Sequence, residues 1–160
     1  MRWVLIGVVL GMALARPALG QADNSATSCT FADGHQITVR YAAAGSKNQQ
    51  PEDGEWDPNG STMFLFTQTP VTLGTTQIPA GAYSLYLSGK KDWTLIVNRN
   101  TKPDAAYTQT MDLDRYPMQS GQISVPAKQI EVYFVHPQPK QCNLRVYYEN
   151  KGYWAEFKEP

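Results

Sequence analysis

The residues with most chemical potential in this sequence are carboxylates, and they fall into two groups. Asp112 and Asp114 stand beside Arg115, and the 52–57 stretch carries Glu52, Asp53, Glu55 and Asp57. Paired carboxylates can cleave a glycosidic bond when they face each other across roughly 5 to 9 Å. On a regular strand Asp112 and Asp114 share a face, which makes Asp112, Asp114 and Arg115 the candidate catalytic group of a small envelope hydrolase or metal-dependent enzyme. The plainer expectation is an ion pair with Arg115, because exposed Asp–Arg neighbours are common and individually weak. The 52–57 acids offer oxygen ligands to calcium, but no Glu follows at the distance an EF-hand loop requires. A solvated acidic loop is expected there.

Other catalytic constellations are missing from the sequence. His35 and His136 lie at no short ligand spacing from another His, Cys or acidic pair, so neither a metal site nor a cofactor is expected. There is no Gly-x-Ser-x-Gly elbow and no glycine-rich phosphate loop. The reading therefore leans away from an enzyme. Nine Tyr and four Trp are many for this length, and aromatic rings make good anchors for binding. Trp56 lies in a polar stretch, while Tyr133, Tyr147 and Trp154 are opposite in strand phase to Val132, Val146 and Ala155. Trp56, Tyr147 and Trp154 are thus the candidate ligand-binding residues, for a glycan, a peptide or another envelope component.

What must position these residues is a β framework. Met1-Arg2, the apolar run Trp3 to Ala15 and the small residues Ala18 and Gly20 have the pattern of a signal peptide over residues 1–20, too short to span a membrane. No later segment approaches spanning length. Export to a periplasmic or extracellular location is the expectation, with residues 21–28 as a disordered lead-in and 29–160 as one domain. Removing Arg2 and Arg16 takes the charge balance from zero to 12 minus 14, or −2, which disfavours nucleic acid as a partner. The two cysteines, Cys29 and Cys142, share strand parity with Phe31 and with Leu144 and Val146. A buried disulfide between them is expected in an oxidising compartment.

Asp33-Gly34 lies between Cys29-Thr30-Phe31 and the alternating run Gln36 to Tyr41, a two-residue hairpin signal with a strand on each side. Residues 42–61 offer no period and read as a long surface loop. Short apolar or alternating runs follow at Met63–Thr67, Val71–Leu73, Tyr83–Leu87, Trp93–Asn98, Ile130–His136, Asn143–Tyr148 and Tyr153–Phe157. Turn chemistry separates them, including Pro79-Ala80-Gly81 and Asn150-Lys151-Gly152. No window has a sustained helical period, although a short helical turn is allowed between Pro103 and Met118. Seven to nine strands without alternating helices predict an all-β, antiparallel sandwich of jelly-roll-like or Greek-key type.

One combination of residues is more specific. Pro79-Ala80-Gly81, Ala82, Tyr83-Ser84-Leu85, Trp93-Thr94 and Asn98, followed by Asp112-Leu113-Asp114-Arg115, resembles an exported bacterial family known as domain of unknown function 2911. The resemblance implies an exported β-rich domain and supplies no catalytic residue. The sequence departs from the family pattern in the polar stretch, where only Trp56 stands for a tryptophan that the family follows with Arg; here Asp57 follows. The reading that results is a non-catalytic binding or envelope-structural module.

Overall fold

The computed structural model describes residues 24–42, 51–103 and 105–160. The expected signal peptide, residues 1–20, lies outside the described residues, as does the 43–50 part of the polar stretch. The described residues build eleven strands in two antiparallel sheets. In chain order they are β1 (Asn24–Thr30), β2 (Gln36–Ala42), β3 (Glu55–Trp56), β4 (Met63–Thr67), β5 (Val71–Leu73), β6 (Thr76–Ile78), β7 (Gly81–Ser88), β8 (Thr94–Asn98), β9 (Asp112–Pro117), β10 (Gln119–Gln138) and β11 (Gln141–Lys158). One sheet runs β1-β2-β4-β7-β8-β9, with β3 also paired to β7, and the other runs β10-β11-β5-β6.

The alternating sequences explain the first sheet. Ile37 and Val39 of β2, and Met63 and Leu65 of β4, are fully enclosed while residues between them face outward, the period-2 pattern of a half-buried strand. The second sheet covers them with Val71, Val132, Leu144, Val146 and Phe157, and residues of both sheets form one core cluster. Each fully buried aliphatic side chain contributes about 1.5 to 3 kcal/mol relative to exposure.

Cys29 of β1 and Cys142 of β11 are joined by a disulfide, so the staple links the two sheets, as the shared parity predicts. Close by, the Phe134 N–H donates to Thr27 Oγ1 at 2.8 Å, fastening β1 against the free edge of β10. A buried disulfide belongs to an oxidising environment. Among the described residues no helix is long and apolar enough to cross a membrane.

Several expectations need correcting. Residues 24–28 are a strand and not a disordered lead-in: they pair with β2 from Asn24↔Ala42 to Ser28↔Thr38, so ladder bonds and the Thr27 contact order a segment that has little to bury. The hairpin loop after β1 is five residues, 31–35, and not two, since Thr30 pairs with Gln36. Asn150-Lys151-Gly152 is no turn but the interior of β11, where the irregularity is taken up instead at Glu149, with φ 50°. Among the described residues the strand count exceeds seven to nine because β3 and β6, of two and three residues, and the bulged β9 lie outside the expected runs, while Asn143–Tyr148 and Tyr153–Phe157 merge into the single strand β11. The helical turn allowed between Pro103 and Met118 is a single 3₁₀ turn at Gln109–Met111.

Candidate functional site

The long β10–β11 ribbon has one face in the core and the other turned outward. On the outward face β11 presents Arg145, Tyr147, Gly152 and Trp154, and β10 sets Tyr133, Glu131, Gly121 and Gln119 directly opposite them in that order. The facing glycines shape the surface. A Cβ on Gly152 would fall 2.8 Å from Tyr147 Cε1, and one on Gly121 would fall 3.4 Å from Trp154 Cη2 and Cζ3. The Tyr147 ring thus occupies space that a side chain at 152 would need, so glycine lets it lie down on the sheet, while the Trp154 ring rests over Gly121 at ordinary contact distance.

Polar contacts fix these rings in place. Trp154 Nε1 donates to Gln119 Oε1 at 3.0 Å, and the Tyr133 hydroxyl donates to Glu131 Oε2 at 3.1 Å. The Tyr133 and Tyr147 ring centres are 5.8 Å apart. Partial burial, then the Glu131 carboxylate, raises the Tyr133 phenol above its ordinary value, so it stays a donor at neutral pH. The Arg145 guanidinium lies 5.8 Å from the Trp154 ring centre and is 3.4 Å from the Tyr147 hydroxyl. Its Nε is buried without an acceptor, and among the described residues it forms no ion pair.

Where the register slips between Gln122 and Ala127, β10 bulges away from β11 and opens a cleft of about 290 Å³. The 123–127 segment, Glu131 and Tyr147 line it. Val125 on its rim is 77% exposed. The surface thus joins a row of three rings, a cation, a carboxylate and a shallow apolar cleft.

The carboxylate group on the other sheet is arranged differently from the sequence expectation. A bulge in β9 pairs Asp112 with Asn98 but Asp114 with Val97, leaving Leu113 as the extra residue. Directly paired residues project to the same side of a sheet, so Asp112 and Arg115 share the outer side while Asp114 follows core-facing Val97. The two aspartates do not face each other. Asp112 Oδ1 accepts from Asn98 Nδ2 at 2.8 Å, and its Oδ2 accepts from the Tyr107 hydroxyl at 2.6 Å and Arg115 Nη1 at 3.0 Å. Arg115 Nη2 reaches Glu55 Oε1 at 2.9 Å. Burial and the Asp112 carboxylate hold the Tyr107 phenol protonated far above its usual range. This is a closed network in which each group already has partners.

Of the ligand-binding candidates, Tyr147 and Trp154 come together on the ribbon. Trp56 does not join them and is withdrawn as an exposed anchor. It pairs with Leu87 across β3 and β7, is 3% exposed, and meets Trp93 edge-on with ring centres 5.0 Å apart. Its polar neighbours in sequence concealed a pairing that only the fold creates. Gly121, Gly152, Arg145 and the 123–127 cleft escaped sequence reasoning, although a glycine opposite a glycine in an aromatic-rich ribbon was a usable signal. Tyr107, Glu55 and Asn98, the partners of Asp112 and Arg115, were equally hidden.

A family model described as protein of unknown function (DUF2911) matches residues 23–156, which extends the likeness at residues 73–98 and 112–115 to nearly the whole described chain. No curated protein and no solved structure matches it.

Proposed function

The chain belongs to the DUF2911 family, described only as of unknown function, and we propose that it is an exported, non-catalytic binding module that holds a glycan on the outer face of the β10–β11 ribbon. The observation that carries this reading is the seating of Tyr147 and Trp154 over Gly152 and Gly121, continued by exposed Tyr133. Flat-lying rings on a rigid sheet offer faces to the C–H surface of a sugar ring at little ordering cost. Arg145, whose guanidinium lies over the Trp154 ring, and Glu131 and the Tyr147 hydroxyl beside it supply hydrogen bonds to sugar hydroxyls. A peptide that adds as a further strand would instead seek an unpaired strand edge, and these rings lie on a sheet face.

The amino-terminal pattern, residues 1–20, and the inter-sheet disulfide support export. A hydrolase at Asp112, Asp114 and Arg115 finds less support: the aspartates project to opposite sides, and both Asp112 oxygens accept hydrogen bonds from neighbours. Calorimetric titration against a panel of soluble oligosaccharides tests the proposal. One glycan class is expected to bind, with affinity falling on the order of tenfold or more in Trp154→Ala and Tyr147→Ala, the loss of roughly 1.4 kcal/mol or more usual for a central aromatic anchor. Equal affinity in wild type and both variants would overturn it.

A further inference from the structure

Three groups with metal-ligand chemistry meet where the β1–β2 loop touches the end of β11, well away from the aromatic face. Asp33 and His35 sit in the loop, and Glu159 follows β11. Backbone bonds hold these segments together: Ala32 N–H donates to Pro139 O and Glu159 N–H to Lys140 O, each at 2.9 Å. One ligand atom from each of Asp33, His35 and Glu159 lies within 4.8 Å of the other two.

The hydrogen bonding is lopsided in a way that calls for a cation. Asp33 Oδ1 accepts from the His35 N–H at 2.9 Å, and its Oδ2 meets His35 Nδ1. Glu159 Oε1 is shut off from solvent and receives no hydrogen bond. Lys140 Nζ, on the border of the same cleft, donates to Pro160 O at 2.7 Å. Two carboxylates thus converge with one imidazole, and one shielded oxygen has no donor, a state whose desolvation is uncompensated.

We propose that Asp33, His35 and Glu159 form a binding site for a divalent transition ion of the zinc type, with water completing the coordination. An imidazole with two carboxylates suits zinc better than calcium or magnesium, which favour all-oxygen shells. Tetrahedral zinc sets its ligand atoms about 3.4 Å apart, so the exposed Asp33 and His35 side chains, now hydrogen-bonded to each other, must part and turn toward Glu159 to admit the ion. A cleft of about 540 Å³ bordered by Asp33, Thr69, Lys140 and Glu159 leaves room for the water ligand. The bound ion would clip the β1–β2 loop to the end of β11, on the two strands that the disulfide already joins. Sequence spacing could not reveal this, because Glu159 is brought to the pair by the fold.

The test is calorimetric titration of zinc chloride into the chelator-treated, disulfide-intact chain, with calcium and magnesium chlorides in parallel. One zinc per chain is expected, with a raised melting temperature and far weaker binding of calcium and magnesium. His35→Ala and Glu159→Gln should each weaken zinc binding by roughly tenfold or more, since even an outer-shell partner is worth that much. His136→Ala, which alters the other histidine, should bind as wild type. Melting of each variant without metal verifies the fold. Absence of zinc binding, wild-type affinity in either His35→Ala or Glu159→Gln, or loss of binding in His136→Ala would overturn the proposal.

Discussion

Trp93 stacks on Tyr153 with ring centres 3.9 Å apart and planes within 7° of parallel, joining the start of β8 in one sheet to β11 in the other. Trp93 also receives the edge of Trp56, and the Tyr153 hydroxyl donates to Lys91 O at 3.1 Å. The contact closes the end of the sandwich that lies beneath the β7–β8 loop. Trp93→Ala is therefore expected to destabilise the fold by about 3 to 5 kcal/mol, the usual cost of deleting a buried large aromatic. Trp93→Phe should cost much less, because Trp93 Nε1 has no acceptor to lose. Urea unfolding of the two variants checks the order, and equal losses would be inconsistent with stacking as the source.

The disulfide closes a sequence separation of 113 residues. Chain-entropy reasoning gives about 4 to 5 kcal/mol for a loop of that size. Reduction, or Cys29→Ala with Cys142→Ala, should lower the urea midpoint by a corresponding amount while native strand content survives at low denaturant. An unchanged midpoint would mean that the β1 to β10 contacts alone hold the two sheets.

The β9 bulge predicts unequal aspartates. Asp112→Ala removes the common acceptor of Asn98, Tyr107 and Arg115 and should cost about 2 kcal/mol. Asp114→Ala touches no such network, although its Oδ1 accepts from the Arg115 backbone N–H, and should stay within about 0.5 kcal/mol of wild type. Chemical denaturation of the two variants separates them, and equal costs would contradict the bulged register.

Asp57 gives a pH signature. Its Oδ1 is buried without a donor, and burial raises its carboxyl above the usual value. The folded state therefore holds this proton more tightly than the unfolded chain. The resulting stability is present below the unfolded value of about 3.9 and is lost as pH rises through the higher folded value. Asp57→Asn should melt above wild type at neutral pH, with the gap closing as pH falls below the carboxylate range. A gap that widens in acid would reverse the assignment.

Legibility in the sequence followed the range of the interactions. Gln36 to Tyr41, Met63 to Thr67 and the parity of Cys29 and Cys142 carry local alternation, and the sheets and the staple follow from it. Trp56 gains its place from partners far along the chain, and residues 24–28 from ladder bonds to β2 and the Thr27 contact with Phe134, none of which a local period records. Glu149 and Leu113 are irregularities absorbed inside strands, so turn chemistry at 150–152 and simple alternation at 112–114 both misled. Tyr147 and Trp154 were visible by phase, but Gly121 meets Trp154 only across the paired strands, and Gly152, on the same strand as Tyr147, read as part of a turn.

The most direct measurement is amide chemical-shift mapping of the isotope-labelled chain during titration with soluble oligosaccharides. The proposed site predicts shifts confined to residues 119–133 and 145–154, with the indole N–H of Trp154 among the first to move. Shifts centred on Asp112 and Arg115, or none with any glycan, would contradict a glycan-binding role for the ribbon.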